Sequence, residues 1–456
     1  MALLDLMGLG ADKQAVIIDI GVAFTKIGLA GEQVPRHIIR TELNKIVKSK
    51  MESIPLLSRT RSESDEKDSL YSLFKDFFHQ VYFQYLLVNP KERRVVICDS
   101  MLKPIEIRNL IAKILFKHFE VVSVVYMPSH LLALFTCGLS SGLVVDVGFS
   151  ETVAVPVFEQ GSILNGLEFI DLAASSLHEH IHKHIMESGV VLVENQEKPA
   201  KDHVKNIDSR VLEDIKVRCC FVGRREFDMK ALSVKYPLEG GIILNVDGTI
   251  RAHAADILFE GDEEGKSIAT LILDSILKCP IDCRKTLAEN IVLVGGGVMM
   301  AGFESRLMAE LKHLLQTEQY NRSLFIKKLA FKKPPVPANY CVWQGGALLG
   351  ALEILPELSM TRDRYNANPY IPDWSTVLAA NKEDVKKSLL EDDLKWKLRS
   401  KSLATSASAS VLSSTRSGSV AGVTVPTTST TPSGNTKSTL SVSERLRKEL
   451  RLTSDK

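Results

Sequence analysis

Two aspartates, each two residues ahead of a glycine at the end of an apolar run, carry the spacing in this chain that points most directly to chemistry. The first lies in "VIIDIG", with Asp19 and Gly21, and the second in "LVVDVG", with Asp146 and Gly148. In both, the apolar run soon resumes, which reads as strand, tight turn, strand. Glycine lets a turn's backbone N–H groups converge on a phosphate. Two carboxylates, each on its own side, can hold the water shell of a magnesium ion. Lys26, on the returning strand of the first unit, can reach the same place and neutralise phosphate charge. A third element, "ENIVLVGGGVMMAGFESRLMAELKHLL", sets Gly295, Gly296 and Gly297 between a strand and a helix from about Phe303. Such a loop lets a nucleotide lie against backbone near helix-terminal amides, and a plain tight turn is the alternative. One Asp-x-Gly says little, because both residues are common in hairpins. Two copies, one in each half of the chain, suggest an internally duplicated fold with a cleft between the halves.

Two further clusters could bind metal. In "HEHIHKH" a helix would put His178 and His182 on one face and His180 and His184 on another, at the i, i+4 spacing of metal sites. No cysteine or acidic cluster nearby completes a site, so a solvated helix face is expected and a metal is the alternative. The seven cysteines are scattered and odd in number, with Cys279 and Cys283 in "CPIDC" lacking a second half. Reduced, structural thiols are expected.

The elements that must position these residues alternate along roughly 13–375, apolar strand-like runs with amphipathic helical patterns, which suggests an α/β architecture. Strand candidates are 93–99, 141–148, 153–158 and 290–297, and helix candidates are 70–86 and 105–119. The aromatic stripe on 70–86 (Phe74, Phe77, Phe78, Tyr82, Tyr85) is expected to be core packing. After Trp374 a charged stretch leads into a Ser/Thr-rich tract over about 402–443, too poor in large apolar groups to offset the entropy of ordering it. The final "SVSERLRKELRL" recovers helical spacing and reads as a solvated helix or one that docks on a partner.

The chain has 456 residues, 45% hydrophobic and 25% charged, which allows two or three domains. Lys+Arg number 57 against 55 Asp+Glu, so the net charge of +2 gives no whole-chain field toward nucleic acid or anionic membrane. The opening "MALLDLMGLGAD" has acidic residues where a secretory signal needs basic ones, and no apolar run approaches the ~18 residues of a membrane span. An intracellular protein is expected.

With these motifs in order, the sequence resembles the actin family, within the wider group of sugar kinases and Hsp70-type chaperones, over roughly 15–375. "IDIGVAFTKIGLAGEQVPR" looks like the family's first phosphate loop. "LFKHFEVVSVVYMPSHLLALFTCGLSSGLVVDVG" resembles its connector and second phosphate loop, "VLEDIKVRCCFV" a subdomain 4 helix, "VLVGGGVMMAGF" the adenosine loop and "NYCVWQGGALLGAL" the last core segment. The resemblance implies an α/β, actin-like, two-lobed duplicated fold with a central nucleotide cleft. Subdomain 1 would comprise 13–39, 71–136 and 341–375, and a shortened subdomain 2 would be 40–70. Subdomain 3 would be 137–172 and 262–340, subdomain 4 would be 173–261, and 376–456 would be a disordered tail. It implies ATP or ADP with magnesium, contacted by Asp19, Gly21, Lys26, Asp146, Gly148, Lys216, Gly295 and Gly296, with Asp19 and Asp146 on the metal through water.

Departures from the family pattern limit what is carried over. Val22 and Ala23 replace a serine and a glycine, Phe149 and Ser150 replace an Asp-Gly, and Val217 replaces an acidic neighbour of Lys216. Each lost phosphate ligand removes ~1–3 kcal/mol. The expectation is that Lys113 stands where the family has its water-positioning glutamine and Val153 where a histidine assists, so both water-orienting groups are missing. Bound nucleotide is then structural rather than turned over.

"FTKIGLAGE", "YLLVNPKERRVV", "LILDSILKCPIDCRK" and "IPDW" are most similar to the family's branch at the pointed end of dynactin. That implies a cytoplasmic, cytoskeletal subunit which caps the actin-related protein 1 filament and meets dynactin subunits 4, 5 and 6. It would insert in no membrane, bind no nucleic acid and form no homo-oligomer. The short, polar 40–70 stretch is the reason to expect capping, since it has few large apolar groups to fill a neighbour's cleft. A chromatin-remodelling actin-related protein and an ATP-dependent kinase or ATPase are the alternatives.

Overall fold

Three consecutive residues, Val16, Ile17 and Ile18, are fully buried, which requires a strand covered on both faces. The computed structural model, which describes residues 13–47, 50–57, 67–194, 196–204, 207–225, 232–262 and 264–371, supplies both covers. The Ser/Thr-rich tract and the final helical pattern lie outside the described residues. Strand β1 (Val16–Ile20) pairs antiparallel with β2 (Phe24–Leu29), which pairs with the edge strand β3 (His37–Arg40). A separate two-stranded hairpin, β4 (Glu42–Val47) and β5 (Lys50–Pro55), follows. Parallel strands β6 (Arg94–Asp99) and β7 (Ser123–Pro128) complete the first sheet on the other side of β1.

The second half repeats the plan. Strand β8 (Gly142–Val147) pairs antiparallel with β9 (Thr152–Phe158), flanked by the short strands β10 (Gly161–Ser162) and β11 (Glu168–Ile170). A four-stranded sheet is inserted next, from β12 (Val190–Val193), β13 (Gln196–Pro199), β14 (Val234–Pro237) and β15 (Ile243–Val246). Strand β16 (Ile291–Val294) then returns parallel to β8, as β6 does to β1, and β17 (Met360–Thr361) closes the outer edge of the first sheet.

Period-two alternation sorts the side chains into three cores. Val16, Ile18 and Ile20 face one core, shared with α1 (Lys67–Gln80) and α2 (Ile105–Lys113). Leu143, Val145 and Val147 face another, shared with α4 (Ala174–Ser188), α5 (Ser209–Cys219), α6 (Ile268–Lys278), α7 (Ile281–Glu289) and α8 (Phe303–Leu314). The opposite faces, Ile17, Val96, Val144, Val292 and Val294, meet in a third core with α3 (Ser129–Thr136) and α9 (Cys341–Gly350). This shared layer joins the halves. Gly345 makes its close packing possible, since a Cβ there would fall 2.2 Å from the Leu132 carbonyl oxygen. Trp343, fully buried, donates its Nε1–H to the Ile17 carbonyl at 3.3 Å.

The two amphipathic stripes are helices, with an unexpected end. Each closes in a wider π-helical turn, Val81–Leu86 after α1 and Ile114–His118 after α2. Phe74, Phe77, Phe78 and Tyr82 are core, as the stripe predicts. Each such side chain removed from water contributes roughly 1.5–3 kcal/mol. The 40–70 stretch needs a correction, because its polar composition conceals β4 and β5. Leu43 and Leu56 are buried, and Ile54 and Leu57 pack beside them against the first core, which is enough to fix the hairpin. All seven cysteines are free.

Candidate functional site

The two Asp-x-Gly turns are one device built twice. Gly21 N–H donates to the Phe24 carbonyl at 3.1 Å, and Gly148 N–H donates to the Glu151 carbonyl at 3.0 Å, the same three-residue step. The cross-strand register then decides what stands opposite each carboxylate. Asp19 faces Lys26, and Asp146 faces Val153. Lys26 Nζ lies 3.0 Å from Asp19 Oδ2, with side chains only 17% and 14% exposed.

One cation serves both carboxylates. Burial pulls the Lys26 ammonium down, but Asp19, through charge and hydrogen bond, and Asp146, through charge, hold its pKa above the ordinary value. Burial pushes the Asp146 carboxyl up to about 6, Lys26 opposing and Asp19 and Glu151 adding to the rise. The strand ends of the two sheets therefore converge on an Asp–Lys–Asp cluster.

Gly295 closes it from the β16 side. Its φ is +96°, and a Cβ would fall 2.3 Å from the Val147 carbonyl oxygen and 2.6 Å from Asp146 Oδ1. Gly296 faces open space, with nothing within 4 Å of a Cβ. The triplet does not run straight into a helix. A short 3₁₀ turn, Gly297–Met299, precedes α8.

Lys216 sits buried on α5 and donates to Glu213 Oε2 at 2.5 Å, and His178 Nε2 lies 2.9 Å from the same oxygen. Burial of Glu213 opposes ionisation, but the His178 hydrogen bond and Lys216 overcome it and hold the carboxyl down to about 2. The His178 ring meets Phe149 edge-on at 5.5 Å, so a chain of contacts runs from the second turn to Lys216. His178 is thus buried rather than solvated, against expectation, because α4 turns it inward beside Leu177 and Ile181. His184 instead pairs with Ser188 at 2.9 Å. Among the described residues no three His, Cys, Asp or Glu side chains converge on a metal position.

Across the two halves, Arg210 of α5 reaches Glu42 Oε1 at 2.5 Å and Asn44 Oδ1 at 3.5 Å on β4. Leu43 belongs to the first core and Leu212 to the second, so this contact ties two separately packed bodies.

The model of the family described as "Actin" matches residues 10–369 of the chain. The chain belongs to the actin family. It is also similar to the protein named "Actin-related protein 10" of Dictyostelium discoideum, 27% identical over 434 residues that cover 81% of this chain and 90% of that one. Actin-family proteins generally bind nucleotide with magnesium, and the donor set fits that class of ligand. Two carboxylates and one ammonium converge, and Gly296 leaves room beside the pair where Gly295 is packed shut.

Lys113 is exposed on α2, its ammonium over the Tyr71 ring at 5.5 Å. The physical reason is helix facing: Ile111, Ile114 and Leu115 take the buried side and leave Lys113 outward. The polar residue at the cleft is His130, at the start of α3, which with Ser100 and Ser129 lines a cavity shared by Asp146 and Val153. Its Nε2 lies 2.8 Å from Ser162 Oγ, and burial lowers its pKa to about 3, leaving a neutral ring. The signal for it was available in "YMPSH", where polar residues follow a buried strand at its carboxyl end. Val217, beside Lys216, is 67% exposed and gives a ligand no hydrogen bond.

Proposed function

We propose that this chain is a non-hydrolysing actin-related subunit which holds ATP or ADP with magnesium as a structural ligand and terminates an actin-like filament at its pointed end. The dynactin filament and its pointed-end subunits are the partners of this reading, and dynein-driven transport along microtubules is the process it supports. The observation that carries the non-catalytic part is the register of the second turn. Asp146 faces Val153, an aliphatic side chain that can neither orient water nor accept a proton. His130 is too weak a base to replace it at neutral pH. Asp19, Lys26 and Asp146 would hold the metal and phosphates, and Gly295, Gly296 and Lys216 the adenosine side. Magnesium, when bound there, would neutralise phosphate charge and so stabilise the bound state without requiring turnover.

Termination is supported by the β4–β5 hairpin. Leu43 and Ile54 of the hairpin, with Leu56 and Leu57 just after it, pack on the first core, and Glu42 and Asn44 are engaged by Arg210. These described aliphatics face the first core and are not offered to a further subunit. A second reading, phosphoryl transfer with Asp146 as base, draws on its pKa near 6. Electron microscopy of the assembled complex tests the main proposal. This chain at the filament end, with a longitudinal neighbour on one side only, is the expected result. Subunits on both longitudinal sides would end the capping account.

A further inference from the structure

The segment between α8 and α9 carries a charge pattern that the cleft does not use. From Gln319 to Leu352 there is no acidic residue, while Arg322, Lys327, Lys328, Lys332 and Lys333 all fall within it and all are exposed. Arg322 has Glu318 at 3.5 Å, and the four lysines have no ion-pair partner among the described residues. Crowded like charges raise one another's energy, and an oppositely charged ligand relieves that repulsion.

The cations stand on a fixed frame. Ile291 N–H donates to the Ala330 carbonyl at 3.1 Å, Lys332 N–H to the Ile291 carbonyl at 2.7 Å, and Ala330 N–H to the Ala288 carbonyl at 3.0 Å. Phe331 thereby bridges Ile291 at the edge of the second sheet, and Pro334, Pro335 and Pro337 stiffen the exit. Phe325 stands among the cations 85% exposed, and the neighbouring Ser323 carbonyl accepts from Arg284 Nη1 at 3.3 Å on α7.

We propose that the 322–333 segment is a docking site for an acidic protein segment that carries an apolar side chain, its carboxylates meeting the lysines and its apolar group meeting Phe325. The chemistry favours a protein over the other anionic macromolecules. Single-stranded nucleic acid binds on successive aromatic faces; here Phe325 is exposed, while Phe331 packs against the second core. An anionic bilayer draws on basic residues beside a helix or a broad apolar face, and this segment is a short irregular loop with one bridge to the sheet. With a whole-chain charge of +2, recognition is local and matched to a short ligand. The site lies outside the cleft and does not depend on the filament reading.

The experiment uses the full-length chain and three labelled probes: a synthetic glutamate-rich peptide containing leucine, a single-stranded RNA, and vesicles of phosphatidylserine. The peptide is expected to bind with strong salt dependence. Reversal of Lys327, Lys328, Lys332 and Lys333 to Glu should weaken it about tenfold or more. Phe325→Ala should weaken it several-fold without changing the salt dependence. Reversal of the exposed Lys201 and Lys235 to Glu should leave it unchanged, and an unaltered thermal melt confirms that the variants fold; a variant that does not is replaced by the four Lys→Gln changes. Peptide binding that survives the reversal, no peptide binding at low salt, or tighter binding to RNA or vesicles than to peptide would each overturn the proposal.

Discussion

The two halves of the molecule place an aspartate at the same point of the same hairpin and surround it differently. In the first, Lys26 lies opposite Asp19 and forms an ion pair at 3.0 Å. In the second, Val153 lies opposite Asp146, whose pKa is pushed up to about 6. Backbone, turn and glycine are shared; the halves differ in the residue opposite and in the burial that raises Asp146. The duplication fixes where charge sits, and the residue opposite fixes whether that charge can take part in chemistry.

The largest change should come from breaking the first half. Lys26→Met leaves two carboxylates without their common cation and should cost about 3 kcal/mol in chemical denaturation, with nucleotide retention lost. Gly295→Ala should come next. It forces a side chain into a left-handed conformation with backbone 2.3 Å away, at about 2 kcal/mol or more, read as a lower melting temperature.

The second half can be read through pH. The Asp146 pKa is raised on folding, so the nucleotide-free protein binds more protons than the unfolded chain between about 4 and about 6. This group's stabilisation is therefore present at low pH and is lost as pH rises through about 6. Relative to Asp146→Asn, the wild-type stability should fall by roughly 2–3 kcal/mol over that window. Val153→Lys, which gives the second half the first half's partner, should flatten the difference. An unchanged pH profile in Val153→Lys would show that the register argument is wrong.

The smallest effect concerns the contact between halves. Arg210 and Glu42 are partly exposed, so a double-mutant cycle with Arg210→Ala and Glu42→Gln should give a coupling of at most ~1 kcal/mol. Nucleotide exchange, followed with a fluorescent analogue, should still quicken measurably in Arg210→Ala if the pair restrains opening of the cleft.

What was legible in the sequence is what is local. Asp19 with Gly21 and Asp146 with Gly148 announced themselves because a period-two apolar run ended on the same short turn twice. His130 was missed because its place depends on two sheets meeting beneath it, which neither sheet's sequence states. The His178–Glu213 and Arg210–Glu42 contacts join residues 35 and 168 positions apart, beyond any short-range pattern. The β4–β5 hairpin was hidden because charged and polar residues dominate the 40–70 stretch.

The central claim is that the altered second half binds nucleotide without turning it over, and nucleotide fate measures that directly. Nucleotide extracted from purified full-length chain would be identified by chromatography, and phosphate release would then be followed at saturating magnesium ATP. The account predicts close to one ATP or ADP per chain, lost in Asp146→Ala, with phosphate release at background. Steady release at enzyme-like rates, on the order of 1–10 per second and abolished by Asp146→Ala, would contradict it.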